Sequence, residues 1–112
     1  MGTPWKPVIV EQLETLASEE EQLGYERNVP HVDITAELVC GWFDDTYHPD
    51  APEFRACFSN LELQALSEFN AVYEQIRRVL PPSNGTVKTW LSSPHWRHVM
   101  QAASQALRSL AG

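Results

Sequence analysis

The side chains best suited to chemistry gather in one short run: Asp44, Asp45, Tyr47, His48, Asp50 and Glu53. Carboxylates this close could hold a cation or divide acid and base work between them. A calcium loop places oxygen ligands at every second position, turns at a glycine and ends on a distant glutamate. This run does none of these. Asp44 and Asp45 are adjacent, so on a helix their side chains point about 100° apart and do not converge on one reacting atom. Among the four histidines, His95 and His98 are three apart on one helical stretch and could share a face. Residues 76–112 supply no acid or cysteine to complete a zinc set around them. His31 and His48 lie beside Asp33 and Asp50 in connecting segments, where solvated or capping roles fit. Nothing resembles a serine elbow, a Gly-x-Gly turn or a Gly-Lys-Ser/Thr loop, and neither cysteine sits in a nucleophile motif. The expectation is no enzyme, no metal and no cofactor.

Charge points elsewhere. The chain carries a net charge of −7, and all 15 acids lie between Glu11 and Glu74. Only Lys6, Arg27 and Arg55 oppose them across residues 1–75, a local net charge of −12. Residues 76–112 hold five bases and no acid. A basic C-terminal helix can neutralise part of the acidic segment by packing on it, but five charges cannot cancel twelve. The surplus predicts an acidic face that steers basic proteins in and repels nucleic acid. Asp44, Asp45, Tyr47, Asp50 and Glu53 are the first candidate contact surface. Glu19, Glu20 and Glu21 are a second.

The elements that must carry these residues are helical. At 112 residues with 43% apolar content, the chain suits one domain with a core of its own. No run approaches the ~18 apolar residues of a membrane span, and Glu11 interrupts the only candidate for a signal segment. A first helix begins near Pro7, shows Ile9, Leu13, Leu16 and Leu23 on one face, and stops at Gly24. Glu19–Glu21 then fall at its C-terminal end, where the macrodipole disfavours acids and fraying after Ser18 is expected. Residues 25–33 read as a connection. A second helix starts at Asp33 or Thr35, presents Leu38, Val39, Trp42, Phe43 and Tyr47, and ends at His48-Pro49.

Asp50-Ala51-Pro52-Glu53 reads as a cap and start for a short turn carrying Phe54 and Cys57. Ser59 and Glu62 form a capping box, with Phe58 and Leu63 as its hydrophobic staple. The helix it opens carries Leu63, Leu66, Phe69, Tyr73, Ile76 and Leu80 and ends at Pro81-Pro82. Ser83-Asn84-Gly85 is a turn, Thr86–Leu91 a short helix, and Ser93-Pro94 caps a last helix bearing Trp96, Val99, Met100, Ala103, Leu107 and Leu110. No strand pattern appears. The predicted fold is all-α: a compact bundle of four main helices plus short helical turns, one domain over residues 1–112. Trp5 and Tyr25 lie outside the strong stripes and are expected to be exposed. Cys40 and Cys57 lie among aromatics and are expected to be buried, reduced thiols, which suits the cytoplasm.

The run Trp42-Phe43-Asp44-Asp45-Thr46-Tyr47-His48-Pro49-Asp50-Ala51-Pro52-Glu53-Phe54 continues into Cys57-Phe58-Ser59-Asn60-Leu61-Glu62-Leu63-Gln64-Ala65-Leu66 and Phe69-Asn70. As a unit it resembles small bacterial immunity proteins of contact-dependent growth-inhibition systems. The resemblance spans residues 42–70 and rests largely on cap and core positions. It implies neutralisation of a toxin domain by direct binding, the partner being basic in many such systems. An acidic protein can fill a phosphate-binding cleft with its own carboxylates. The contrasting expectation is a structural or adaptor protein that homodimerises through its helices, whose thermal midpoint would rise with concentration.

Overall fold

The computed structural model describes residues 3–80 and 86–111, and every regular element among them is helical. In chain order these are α1 (Trp5–Ala17), α2 (Glu19–Asn28), α3 (Ile34–Cys40), a π-helical turn (Gly41–Thr46), α4 (Pro52–Arg55), α5 (Asn60–Arg77), α6 (Val87–Leu91) and α7 (Pro94–Ala111). The all-α expectation holds. None of the described helices is long and apolar enough to cross a membrane.

The N-terminal third departs from the sequence reading. One helix was expected from Pro7 to Leu23, but α1 starts at Trp5 and breaks at Ser18, which is extended at φ −117° and ψ 115°. The Ser18 hydroxyl accepts the Glu21 amide at 3.1 Å and so caps a new helix. That helix runs through Gly24 to Asn28, so Gly24 is no stop and part of the expected connection is helical. Glu19, Glu20 and Glu21 therefore occupy an N-terminal first turn, where the macrodipole favours carboxylates.

Local capping chemistry sets the remaining starts. Asp33 accepts the Ala36 amide, and Thr86 the Thr89 amide. The Ser59–Glu62 capping box closes in both directions, at 3.1 and 2.9 Å. Ser93 accepts from the His95 amide beneath Pro94. Asp50 does not cap α4; Ala51 holds that position without a side-chain bond, and Pro52 starts the turn. α5 ends at Arg77, before the expected Pro81-Pro82 stop. That stop and the Ser83-Asn84-Gly85 turn lie outside the described residues.

α7 is the packing centre, lying along both α1 and α5. Its buried stripe, Trp96, Val99, Met100, Ala103, Ala106 and Leu110, recurs at spacings of three and four. Opposite it stand Ile9, Leu13 and Leu16 from α1 and Leu66, Phe69, Tyr73 and Ile76 from α5. Trp5 is not free in solvent as expected: its ring is half-buried against His48 (5.0 Å) and Phe54 (5.7 Å). Cys40 is exposed and Cys57 half-buried, both unpaired, which corrects the expectation of two buried thiols.

One buried polar group ties these helices. Gln22 is fully buried; its amide nitrogen donates to the Thr15 and Leu16 carbonyls (3.1 Å each) and its oxygen accepts the Trp96 indole N–H at 2.9 Å. Trp90 is also buried, but its indole N–H has no partner among the described residues. Trp96→Phe and Trp90→Phe delete similar volumes. Only the first leaves Gln22 short of a bond, so it should cost about 1–3 kcal/mol more, read from urea midpoints. Equal losses would mean that the Gln22 bond contributes nothing.

The capping box also sets an acid sensitivity. The Lys6 ammonium (2.7 Å), together with the Ser59 amide, holds the Glu62 carboxyl below its usual range. A lowered folded value gives stability above the ordinary carboxylate pKa of about 4.3 and loses it as pH falls through the folded value. Glu62→Ala should cost about 1 kcal/mol at pH 7. The gap from wild type should close below about pH 4, measured by thermal melts across pH.

Candidate functional site

α3 and the π-turn form one continuous rod that presents the first acidic patch. The i to i+5 bond from the Tyr47 amide to the Trp42 carbonyl (3.0 Å) closes the wide turn. Trp42 and Thr46 point inward and are buried, which leaves Asp44 and Asp45 exposed. The rod is held from behind by α5: Trp42 donates its indole N–H to Asn70 (3.0 Å), and the Tyr73 hydroxyl donates to the Leu38 carbonyl (3.1 Å).

Tyr47 belongs to the packing as much as to the surface. Its ring stacks on Trp42 at 4.9 Å and meets the edge of Phe54 at 5.8 Å, leaving it half-buried. Burial pushes its hydroxyl above the usual tyrosine value, opposed by a hydrogen bond with Ser67 and by Arg55, with Asp50 adding to the rise. Asp50 and Glu53 are exposed on the turn and helix that follow. Arg55 donates to the Pro49 carbonyl at 3.1 Å and makes no ion pair with either acid.

The second patch, Glu19–Glu21, stands on the first turn of α2, exposed throughout. The two patches are linked by Glu37, which the sequence reading did not single out. Glu37 lines a groove of about 580 Å³ with Glu11 and Glu21, walled by α1, α2 and α3. It is also one of the carboxylates that act on Cys40. Partial desolvation first, then Asp44 through its charge and a hydrogen bond, then Glu37 and Asp45, raise that thiol above its ordinary value. Glu37, Cys40 and Asp44 recur at spacings of three and four along the rod, so an acidic face runs from Glu21 through Glu37 to Asp44. The signal was legible: Glu37 precedes Asp44 by seven residues on one helical stretch.

Little of this charge is compensated. Glu62 pairs with Lys6, Glu74 with Arg77 and Arg78, and Glu19 with Arg97 at 3.4 Å. The other twelve acids make no ion pair among the described residues. Among the described residues, only Arg97 of the basic C-terminal segment reaches a distant acid; Arg77 and Arg78 pair with Glu74, three and four residues before them. Arg77 also covers the Phe43 ring at 4.3 Å. His95 and His98 are both exposed, and no group of three or more His, Cys, Asp or Glu among the described residues could hold a metal ion.

The Cys40 thiol reports this electrostatic face directly. Removing the Asp44 charge lowers the thiol's pKa and raises its thiolate fraction. Asp44→Asn in a Cys57→Ser background should therefore speed iodoacetamide alkylation of Cys40 at pH 7.5 by about two- to fivefold. An unchanged rate would separate Asp44 from Cys40.

No protein-family model, curated protein or solved structure matches the chain.

Proposed function

We propose that this chain is an acidic protein-binding module that neutralises a basic toxin domain by direct contact in the cytoplasm. The observation that carries the reading is the run of exposed, uncompensated carboxylates from Glu21 through Glu37 to Asp44 and Asp45, mounted on helices whose opposite faces are locked into the core. A charged face on a rigid scaffold speeds encounter with an oppositely charged partner and loses little freedom on docking. Asp50 and Glu53 extend the surface beyond the rod. Exposed carboxylates can occupy a cleft built for phosphates, so a basic nuclease is the partner chemistry that fits best. The resemblance over residues 42–70 supports the same reading and covers most of the π-turn, α4 and α5 as far as Asn70.

The partner is identified by tagged capture from lysate of the source cells, washed at low and high salt. One stoichiometric basic protein is expected, released as salt rises. Recovery of the bait alone, in multiples, would replace this reading with self-association. With the partner in hand, Asp44→Lys/Asp45→Lys should weaken binding at least a hundredfold at low salt, about 3 kcal/mol. Both side chains are exposed, so the thermal midpoint should stay within a few degrees of wild type. Unchanged affinity would remove this surface from the interface.

A further inference from the structure

Gly24 and Gly41 are the glycines among the described residues, and both occupy helical backbone with no positive φ. A glycine inside a helix costs about 1 kcal/mol relative to alanine, so each needs a reason. Gly41 has one in packing: a β-carbon there would stand 3.1 Å from the Gln12 side-chain nitrogen, tighter than a comfortable contact. Gly24 has none of this kind. A β-carbon there would meet only the far end of Arg27, at an ordinary 3.7 Å. What the missing side chain leaves open is the wall of the groove between α1, α2 and α3.

The groove has a definite chemistry. Glu11, Glu21 and Glu37 reach it from three different helices, and none makes an ion pair among the described residues. Tyr25 also lines it; the residue is 37% exposed and its ring has no aromatic partner among the described residues. Gln12 adds an amide. The lining holds no lysine, arginine or histidine, although Arg27 borders it beside Gly24. Carboxylates accept the planar fork of a guanidinium in pairs, and a tyrosine face takes its flat side. A lysine ammonium, a compact and strongly hydrated point charge, uses neither feature as well. The concavity is large enough to enclose a whole side chain.

We propose that this groove, kept open by Gly24, is the anchor site for an arginine side chain of the basic protein partner. The assignment rests on the protein-binding function above and names the contact within it. Binding through a few enclosed anchors, with the remaining charges supplying steering, is how acidic interfaces combine speed with specificity.

The test uses the full chain labelled with nitrogen-15 and two probes, acetylated tetra-arginine amide and its tetra-lysine counterpart. The arginine peptide should shift the amide signals of Gly24, Tyr25 and Glu37 and bind at least threefold tighter than the lysine peptide. Gly24→Leu leaves net charge unchanged and favours helix, so it should melt no lower than wild type yet bind the arginine peptide at least tenfold more weakly. Glu37→Gln should weaken binding severalfold more than Glu14→Gln, an equal charge change on an exposed residue outside the groove. This pair decides the matter if Gly24→Leu does not fold. Equal binding by folded Gly24→Leu, equal loss from Glu37→Gln and Glu14→Gln, or shifts confined to other amides would overturn the assignment. Partner capture separates the two levels. A captured partner indifferent to Gly24→Leu leaves protein binding standing without this anchor. Arginine binding in the groove with no captured partner upholds the anchor and ends the neutralisation reading.

Discussion

The buried amide of Gln22 is the constraint on which the arrangement of helices depends. α1 ends at Ala17, leaving its last carbonyls without helical partners. Gln22 supplies two of those bonds from the second turn of α2, then uses its own oxygen to receive Trp96 of α7. One side chain thus joins the end of α1, the start of α2 and the first turns of α7. An amide buried without such partners would cost several kcal/mol, so the three elements are held to one relative placement. The direction in which α2 leaves α1 sets where Glu21, Gly24 and Tyr25 stand, and the groove wall follows from it.

The same device recurs at the other junctions. Trp42 to Asn70 and Tyr73 to the Leu38 carbonyl fasten the acidic rod to α5. The Glu26 carboxylate receives the Val87 amide at 2.9 Å and seats α6 against α2, and Lys6 reaches Glu62 from α1. Between these ties lies a continuous aromatic core in which Tyr73, Trp96 and Trp90 meet at 4.7 to 5.9 Å. The apolar contacts supply most of the driving force, and the sparse polar bonds select one packing among many similar ones.

What was legible in the sequence was what local chemistry decides. Ser59 with Glu62, Asp33, Thr86 and Pro94 mark their helix starts through neighbours within four residues, and the stripes of α5 and α7 recur at helical spacing. Fraying after Ser18 was legible, but the new helix that starts there was hidden because α2 has no apolar stripe; its one fully buried residue is Gln22, whose amide oxygen meets Trp96. Trp5 was misjudged for a similar reason, since its neighbours His48 and Phe54 come from a distant segment. The first acidic patch was visible as composition. Its link to Glu21 through Glu37 required knowing how α2 and α3 flank α1, which no local pattern encodes. The short-range cap assigned to Asp50 failed because Ala51 took the position, and Pro52 has no N–H that would need an acceptor there.

The central place of α7 has a kinetic corollary. Helical bundles usually fold fast because their contacts are close in sequence. Here the tie between Gln22 and Trp96 closes 74 residues of chain, and that between Glu19 and Arg97 closes 78. α1 and α5 each find their main packing surface on the last described helix, so neither can complete its burial until that helix has formed. The entropy of closing so long a loop comes before the reward of core contacts. Folding of this chain should therefore be slower than that of a helical bundle of the same length whose packing partners are neighbours in sequence. Until α7 docks, the Gln22 oxygen and the Trp96 indole N–H lack each other as partners, so their bond forms only with the long-range packing.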